Sequence, residues 1–262
     1  MLARYDVLHM PRIDLYFTAE TDQRPAENEQ SIRPRGWDVI DVTPLIVLLS
    51  VDAILVLLDA LATHGRDNGS WLADPRLLLA TQDSYGEWFG DLTLLLVVTL
   101  LWTLYRRLKG PAYLAWSAVF TVILLSDVFS LHERLSRRLV AAAGLRRGAD
   151  AGGGLRMGDL GEVAVWAALA LLCVAILGIG HYRSAGAVRH HSRRLLLLLV
   201  ALSLCAAGMD LLHVVLAGSL RAIATVAEEA GELALVSVVA GYVFSLVRAV
   251  RPRSARPRPA ST

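Results

Sequence analysis

The sequence predicts an all-α membrane protein, a polytopic bundle of about six transmembrane helices plus a short interfacial helix. The chain is 55% hydrophobic with a mean hydropathy of +0.49. Its apolar residues are gathered into long runs, and a helix rising 1.5 Å per residue needs about 20 of them to cross a ~30 Å hydrocarbon core. The chain therefore belongs to the class of multi-pass membrane proteins and not to soluble domains.

The elements follow from the position and length of the apolar runs. The first run, 43–62, is long enough to cross, whereas the apolar piece at 71–80 is too short and predicts an interfacial helix. Five further runs predict spans at 86–105, 113–131, 160–180, 195–217 and 227–246. The Gly-rich loop between the third and fourth spans, 144–158, is predicted to be flexible.

The two ends of the chain are polar. Residues 1–40 contain prolines but no apolar stretch and predict a polar cytoplasmic leader; 41–249 form the transmembrane domain, and 250–262 a disordered basic tail. Of the 26 Lys and Arg residues, 17 lie on one side of the predicted spans, which favours cytoplasmic termini in a plasma membrane of bacterial type. Membrane lipid is the expected partner, and no nucleic-acid partner is expected.

Charged residues inside the apolar runs alternate in a way that random placement would not produce. They come late in spans 1, 3 and 5 and early in spans 2, 4 and 6, so all fall toward one membrane face. With cytoplasmic termini, we expect one acidic layer in the outer half of the bilayer, formed by Asp59, Glu87, Asp91, Asp127, His132, Glu133, Glu162, Asp210, His213, Glu228, Glu229 and Glu232. Only Asp52 lies near mid-membrane. Intramembrane charge is costly and indicates function by default.

Some of these carboxylates also have a purely structural interpretation. Glu87, Glu162 and Glu228 each follow Ser, Asp or Thr by three residues, the spacing of a helix-capping box. Glu133 is four residues before Arg137 and could pair with it along a helix. Neither explanation accounts for the charged residues inside the apolar runs, because Asp91, Asp127, Asp210 and Glu232 are not at predicted caps.

The remaining cluster suggests a metal site. Asp210 and His213 are three residues apart, as are Glu229 and Glu232, so each pair shares a helix face. The Asp-x-x-His pair resembles in part the Glu-x-x-His unit of di-iron carboxylate bundles, with Asp in place of Glu. We expect Asp210, His213, Glu229, Glu232 and His132 to bind divalent iron, manganese or zinc. Asp127 and Glu133 are the candidate catalytic groups, and Asp52, Asp59, Asp91 and Glu162 are supporting members.

Three functions are compatible with this pattern. The first is a metal-dependent membrane enzyme acting on a lipid or other apolar substrate. The second is a transporter or channel for protons or divalent cations, in which Asp52 would continue the path. The third is a structural protein whose polar layer only ties helices together. His132-Glu133 does not begin a zinc-protease motif, since Ser136 stands where a second His is required.

Two further groups are interpreted as membrane-interface residues. His190 and His191 precede Arg193 and Arg194 just before the fifth span and predict interfacial anchors. The tryptophans at 37, 88, 102 and 116 lie near predicted span ends and predict an aromatic belt.

Overall fold

The computed structural model describes residues 42–65, 74–81, 83–146, 148–152, 155–215 and 219–250. Within them the chain forms an all-α bundle, as predicted. The helices are α1 (Val42–Gly65), α2 (Tyr85–Leu108), α3 (Pro111–Val128), α4 (Leu131–Ala142), α5 (Met157–Tyr182), α6 (Gly186–Val215) and α7 (Ser219–Ala249). The predicted leader at 1–40 and most of the basic tail lie outside the described residues.

Five helices of the described chain are long and apolar enough to cross a membrane. They are Val42–Gly65, Tyr85–Leu108, Pro111–Val128, Leu160–Tyr182 and Ala224–Ala249. The predicted fifth span at 195–217 coincides with most of α6 but runs past its described end. This set of helices is what a multi-pass membrane protein requires.

Two helices organise the bundle. Helix α7 packs against α1, α2 and α6, while α3 packs against α2 and α5. Their shared core is apolar and almost fully buried, with Val97 and Leu101 of α2 meeting Phe120 of α3 and Val239 and Val243 of α7. This core fills the middle of the bundle and the half toward the end of α2 and the start of α3.

The turn between α2 and α3 explains why these helices are adjacent and antiparallel. Lys109 adopts a left-handed conformation (φ 55°) and its N–H donates to the Tyr105 carbonyl, which closes α2. Gly110 is extended, and Pro111 occupies the first turn of α3, where its missing N–H has no cost. A two-residue connection leaves no room for any other arrangement.

The predicted third span ends earlier than expected. Helix α3 stops at Val128, Ser130 takes a left-handed conformation (φ 44°), and a separate helix α4 begins at Leu131. The physical reason is the composition of α4, which carries Glu133 and three arginines and is therefore amphipathic. Its Ser136 and Val140 pack on α5, where Gly161 lacks the side chain that would clash with them.

The link after α4 is more ordered than its glycine content suggests. Strand β1 (Asp150–Gly152) pairs antiparallel with β2 (Leu155–Arg156), and Asp150 lies opposite Arg156. The Met157 N–H then donates to the Ala149 carbonyl at 2.9 Å, which leads the chain directly into α5. Part of the predicted flexible loop at 144–158 thus forms a short two-stranded hairpin.

The predicted short helix at 71–80 is a single 3-10 turn in its described part. Residues 74–81 hold a single 3-10 turn, Pro75–Leu77, capped by the Asp74 side chain. After this turn Leu78 and Leu79 are buried against the bundle, and the Leu79 N–H donates to Oδ1 of Asp59 at 2.9 Å. We call residues 78–81 the wall segment, because 79–81 border the cavity described below.

A matched pair of glycines on α5 tests the packing against α3. A Cβ on Gly180 would clash with Ala115 and crowd the backbone of Ala112, whereas a Cβ on Gly178 would meet nothing within 4 Å. We expect Gly180→Ala to destabilise the protein by about 1–3 kcal/mol through overpacking. Thermal unfolding in detergent should show a lower Tm for Gly180→Ala and a nearly unchanged Tm for Gly178→Ala. Equal behaviour of the two variants would contradict this packing.

The hydrogen bond from Leu79 to Asp59 provides a second test. Asp59→Ala leaves the buried Leu79 N–H without its acceptor, which costs about 1–3 kcal/mol. Asp59→Asn retains an acceptor oxygen and should be much milder. A cysteine introduced at Ala80 should become more reactive toward a water-soluble thiol reagent in Asp59→Ala than in Asp59→Asn. The same labelling rate in both would mean that Asp59 does not hold the wall segment.

Candidate functional site: an acidic cavity

A cavity of about 280 Å³ lies between α2, α3, α7 and the wall segment. Four carboxylates border it: Glu87, Asp127, Glu229 and Glu232. Its remaining lining is small or apolar, including Gly86 and Gly90 of α2 and Leu233 and Val236 of α7. The helices of the bundle thus bring together four members of the acidic layer that the sequence predicted, and we call this space the acidic cavity.

Glu87 is positioned by the start of α2. The Ser84 hydroxyl accepts the Glu87 N–H at 3.0 Å, and the Glu87 carboxylate accepts the Asp83 N–H at 2.6 Å. The first bond is that of the predicted capping box, whereas the second reaches Asp83, one residue before the N-cap, because the Ser84 N–H donates to the Thr81 carbonyl. Glu87 therefore combines a helix-capping role with a place on the cavity border.

Glu228, Glu229 and Glu232 are not at the start of a helix. The capping box predicted for Thr225 and Glu228 is wrong, because α7 already begins at Ser219 and runs without interruption for 31 residues. Glu229 therefore lies about three turns inside a continuous helix, where no cap explains it. Gly231 of the same helix allows close approach of α6, since a Cβ there would be only 2.6 Å from the Cys205 sulfur.

The carboxylates of the cavity repel one another. Glu229 experiences the negative charges of Glu228, Glu87, Asp127 and Asp59. Asp91, one turn after Glu87, faces the charges of Asp127 and Glu87, and its buried Oδ1 has no hydrogen-bond partner among the described residues. None of the described residues that line the cavity is Lys, Arg or His. The site is therefore electrostatically suited to a cation.

Asp59 has a different role from its neighbours. It is 4% exposed, and its Oδ1 accepts the Leu79 N–H, so it fixes the wall segment from outside the cavity. Gly86 completes this contact, because any Cβ on it would clash with the Leu79 side chain. The sequence placed Asp59 in the acidic layer, but the wall segment and Gly86 were missed, and only the Gly residue next to Glu87 could have signalled them.

His132 and Glu133 lie at the start of α4, beside the cavity. The His132 ring stacks on Trp166 of α5 with centroids 5.0 Å apart, and the ring is an electrostatic neighbour of Asp127. Its buried Nδ1 has no hydrogen-bond partner in the described part of the chain. Glu133 does not line the cavity, and its Oε2 is 3.5 Å from Nη1 of Arg137, as the helical pairing predicts.

Asp52 lies away from the cavity, between α1 and α7. It is 4% exposed, and the fully buried Ser237 hydroxyl of α7 faces it. Both Asp52 oxygens and the Ser237 oxygen lack a properly formed hydrogen bond to any described residue. No lining residue of the acidic cavity connects the two sites.

The remaining predicted members of the acidic layer are Glu162, Asp210 and His213, and the structure defines their place less fully. Glu162 is half-buried in the second turn of α5 and does not line the cavity. Since α5 begins at Met157, Asp159 is inside the helix, and the capping box predicted for Asp159 and Glu162 is wrong. The backbones of Asp210 and His213 belong to α6, but their side chains lie outside the described residues.

The described side chains do not form a closed metal cage. Within them, no three His, Cys, Asp or Glu groups converge as ligands for one ion. A cation bound by only one or two carboxylates keeps part of its water shell, as Mg²⁺ commonly does, and this mode needs no closed cage.

Two residues predicted at the membrane interface are buried instead. His191 is 2% exposed and its Nδ1 is 2.8 Å from the Tyr242 hydroxyl of α7, so it is no surface anchor. Trp116 is 1% exposed and donates its indole N–H to the Ser192 hydroxyl at 2.9 Å. Trp116 is buried where α3 meets the start of α6, and His191 is buried where α6 meets α7. A hydropathy profile shows neither contact. Trp88 and Trp102 are exposed, as the belt requires.

Comparison with known proteins gives a family without an assigned activity. No curated protein and no solved structure is significantly similar to the chain. A family described as Domain of unknown function (DUF8692) matches residues 45–246, which include every described residue of the acidic cavity. Since this match covers more than half of the sequence, the chain belongs to the DUF8692 family.

Proposed function

We propose that the acidic cavity binds a divalent cation and that the protein is a metal-dependent membrane enzyme acting on a lipid or other apolar substrate. The observation that carries the proposal is the meeting of Asp127 from α3 with Glu229 from α7 in one cavity that has no basic residue among its described lining. Carboxylates placed together in a low-dielectric bundle require a positive partner or protonation. A divalent cation satisfies several of them at once.

The closed inner end of the cavity favours an enzyme site rather than an ion-conducting path. Leu94, Leu233 and Val236 close its inner end, and the buried core of Val97, Leu101 and Val239 continues beneath them. The buried side chains of this core are mostly apolar, with Ser117 and Ser237 among the few buried hydroxyls in the same helices. A blind cavity retains a bound substrate, whereas a conduit needs a continuous polar path.

The chain's own residues have distinct parts in this proposal. Glu229 and Asp127 hold the cation, with Glu232 beside them, and Asp210 and His213 of α6 are the further ligands that the sequence predicts. Leu94, Leu233 and Val236 give the apolar part of a substrate a dry surface. His132 next to Asp127 can accept or donate a proton at its Nδ1. A bound divalent metal would supply Lewis acidity and an activated water.

Cation binding is tested by removing one carboxylate charge at a time. Glu229→Gln and Asp127→Asn should each weaken Mn²⁺ affinity by about tenfold or more, because each removes a charged ligand worth at least ~1.4 kcal/mol. Glu133→Gln is the matched control, since Glu133 does not line the cavity. Electron paramagnetic resonance of free Mn²⁺ in titrations of the detergent-purified protein measures all three. Equal affinities in the variants and the control would contradict the site.

The identity of a tightly bound metal is tested by elemental mass spectrometry. The wild-type protein should contain a near-stoichiometric transition metal that is lost in His213→Ala while the variant still inserts into the membrane. No metal in the wild-type protein, even after growth with added iron, manganese and zinc, would sink the metalloenzyme proposal.

Cation or proton transport is a second candidate because of Asp52. A buried carboxyl facing Ser237 without a formed hydrogen bond among the described residues is costly unless it serves a purpose. In the enzyme proposal Asp52→Asn leaves cation affinity and turnover unchanged. In the transport alternative Asp52→Asn abolishes cation-driven pH change in proteoliposomes, whereas Ser50→Ala, exposed on the same helix, does not.

A further inference from the structure

A second cavity of about 380 Å³ lies at the end of the bundle opposite the acidic cavity. It is formed where α3, α5 and α6 approach one another. Val174 and Leu177 of α5 and Leu196 of α6 form its sides, and Trp116 of α3 lies at its base. We call it the α5/α6 groove. Its volume is in the range of ordinary small-molecule sites, about 300–1,000 Å³.

The groove exists because α5 and α6 are barely in contact with each other. Gly178 contributes to this opening, since a Cβ on it would meet no atom within 4 Å. Two residues later Gly180 is buried tightly against Ala115, so the gap is confined to one side of α5. Its lining residues Leu196 and Val174 are 45% and 65% exposed, so the groove opens on the outer surface of the bundle, where a membrane protein meets lipid acyl chains.

The base of the groove is built from fixed polar groups. Trp116 donates to the Ser192 hydroxyl at 2.9 Å, and Nδ1 of His181 is 3.4 Å from the same oxygen. Because Ser192 is only 5% exposed, these contacts hold the base in one arrangement. The apolar sides are therefore rigidly joined to a polar end.

The mouth of the groove is cationic. Arg193 lines it and is exposed, and Arg183, Arg189 and Arg194 lie in the adjoining link and first turns of α6. No Asp or Glu occurs anywhere between His181 and Arg194 in the sequence. An occupant must therefore combine an anionic group at this end with an apolar chain along the sides.

We propose that the α5/α6 groove binds an anionic membrane phospholipid, with one acyl chain between α5 and α6 and its phosphate paired with Arg193. A guanidinium forms two parallel hydrogen bonds to a phosphate, which suits it to this position. Basic pockets between transmembrane helices commonly bind anionic headgroups. A soluble phosphate would leave the apolar sides of the groove without a partner, so the lipid is the better fit.

The headgroup contact is tested by native mass spectrometry of the full-length protein in detergent, titrated with dioleoyl phosphatidylglycerol or dioleoyl phosphatidylcholine. The wild-type protein should retain phosphatidylglycerol in preference to phosphatidylcholine. Arg193→Ala should reduce that preference about fivefold, the effect of one arginine near an anionic headgroup. Arg106→Ala is the matched control, since Arg106 is exposed at the same end of the bundle and does not line the groove.

The acyl-chain contact is tested with Gly178→Leu, which places a bulky side chain in the groove at a position whose Cβ would meet no atom within 4 Å. This variant should lose retained lipid of both types, while Arg193→Ala loses only the preference for phosphatidylglycerol. An unchanged preference in Arg193→Ala, or an equal loss in Arg106→Ala, would overturn the proposal. Complete displacement of phosphatidylglycerol by inorganic phosphate would also overturn it, because the site would then recognise phosphate alone.

Discussion

Electrostatic repulsion among carboxylates at one end of an apolar bundle is the constraint on which the rest of this structure depends. Glu229 experiences four neighbouring negative charges, and Asp91 experiences two. Such groups cost several kcal/mol each when they are neither paired, hydrated nor protonated. A fold that brings these carboxylates together must offset that cost through a ligand or a proton. The large apolar core supplies stability that allows the fold to tolerate the arrangement.

Helix α7 links the apolar core and the charged end. Its 31 residues pack against α1, α2 and α6, so its Val239 and Val243 anchor the core while Glu229 and Glu232 border the cavity. The apolar half of the helix fixes its position, because a shift along its axis would displace buried side chains in three interfaces. The packing of the apolar half of α7 therefore fixes the positions of Glu229 and Glu232 in the other half of the same helix.

Much of this architecture could be predicted from the sequence, because the length and periodicity of apolar runs are local properties. The spans and the common side of Glu87, Asp127 and Glu229 follow from chain reversal alone. What could not be predicted depends on contacts between distant segments. The burial of His191 requires Tyr242, fifty-one residues away, and the wall segment is fixed by Asp59 twenty residues earlier. The start of α7 was misplaced for a different reason, since a plausible cap at Thr225 also fits inside a longer helix.

The hydrogen bond between Asp59 and Leu79 separates two kinds of acidic residue that hydropathy treats as one. Asp59 already satisfies a backbone N–H of the wall segment, in a place where water is scarce and a non-helical backbone needs an internal partner. The Asp59 carboxylate therefore has a structural role, since it holds the backbone of the wall segment. Among related sequences, Asn could replace it without loss of the fold, while Asp127 and Glu229 would tolerate no neutral substitute if they bind a cation. Substitution of an acid by its amide thus distinguishes a carboxylate with a structural role from one that binds a cation.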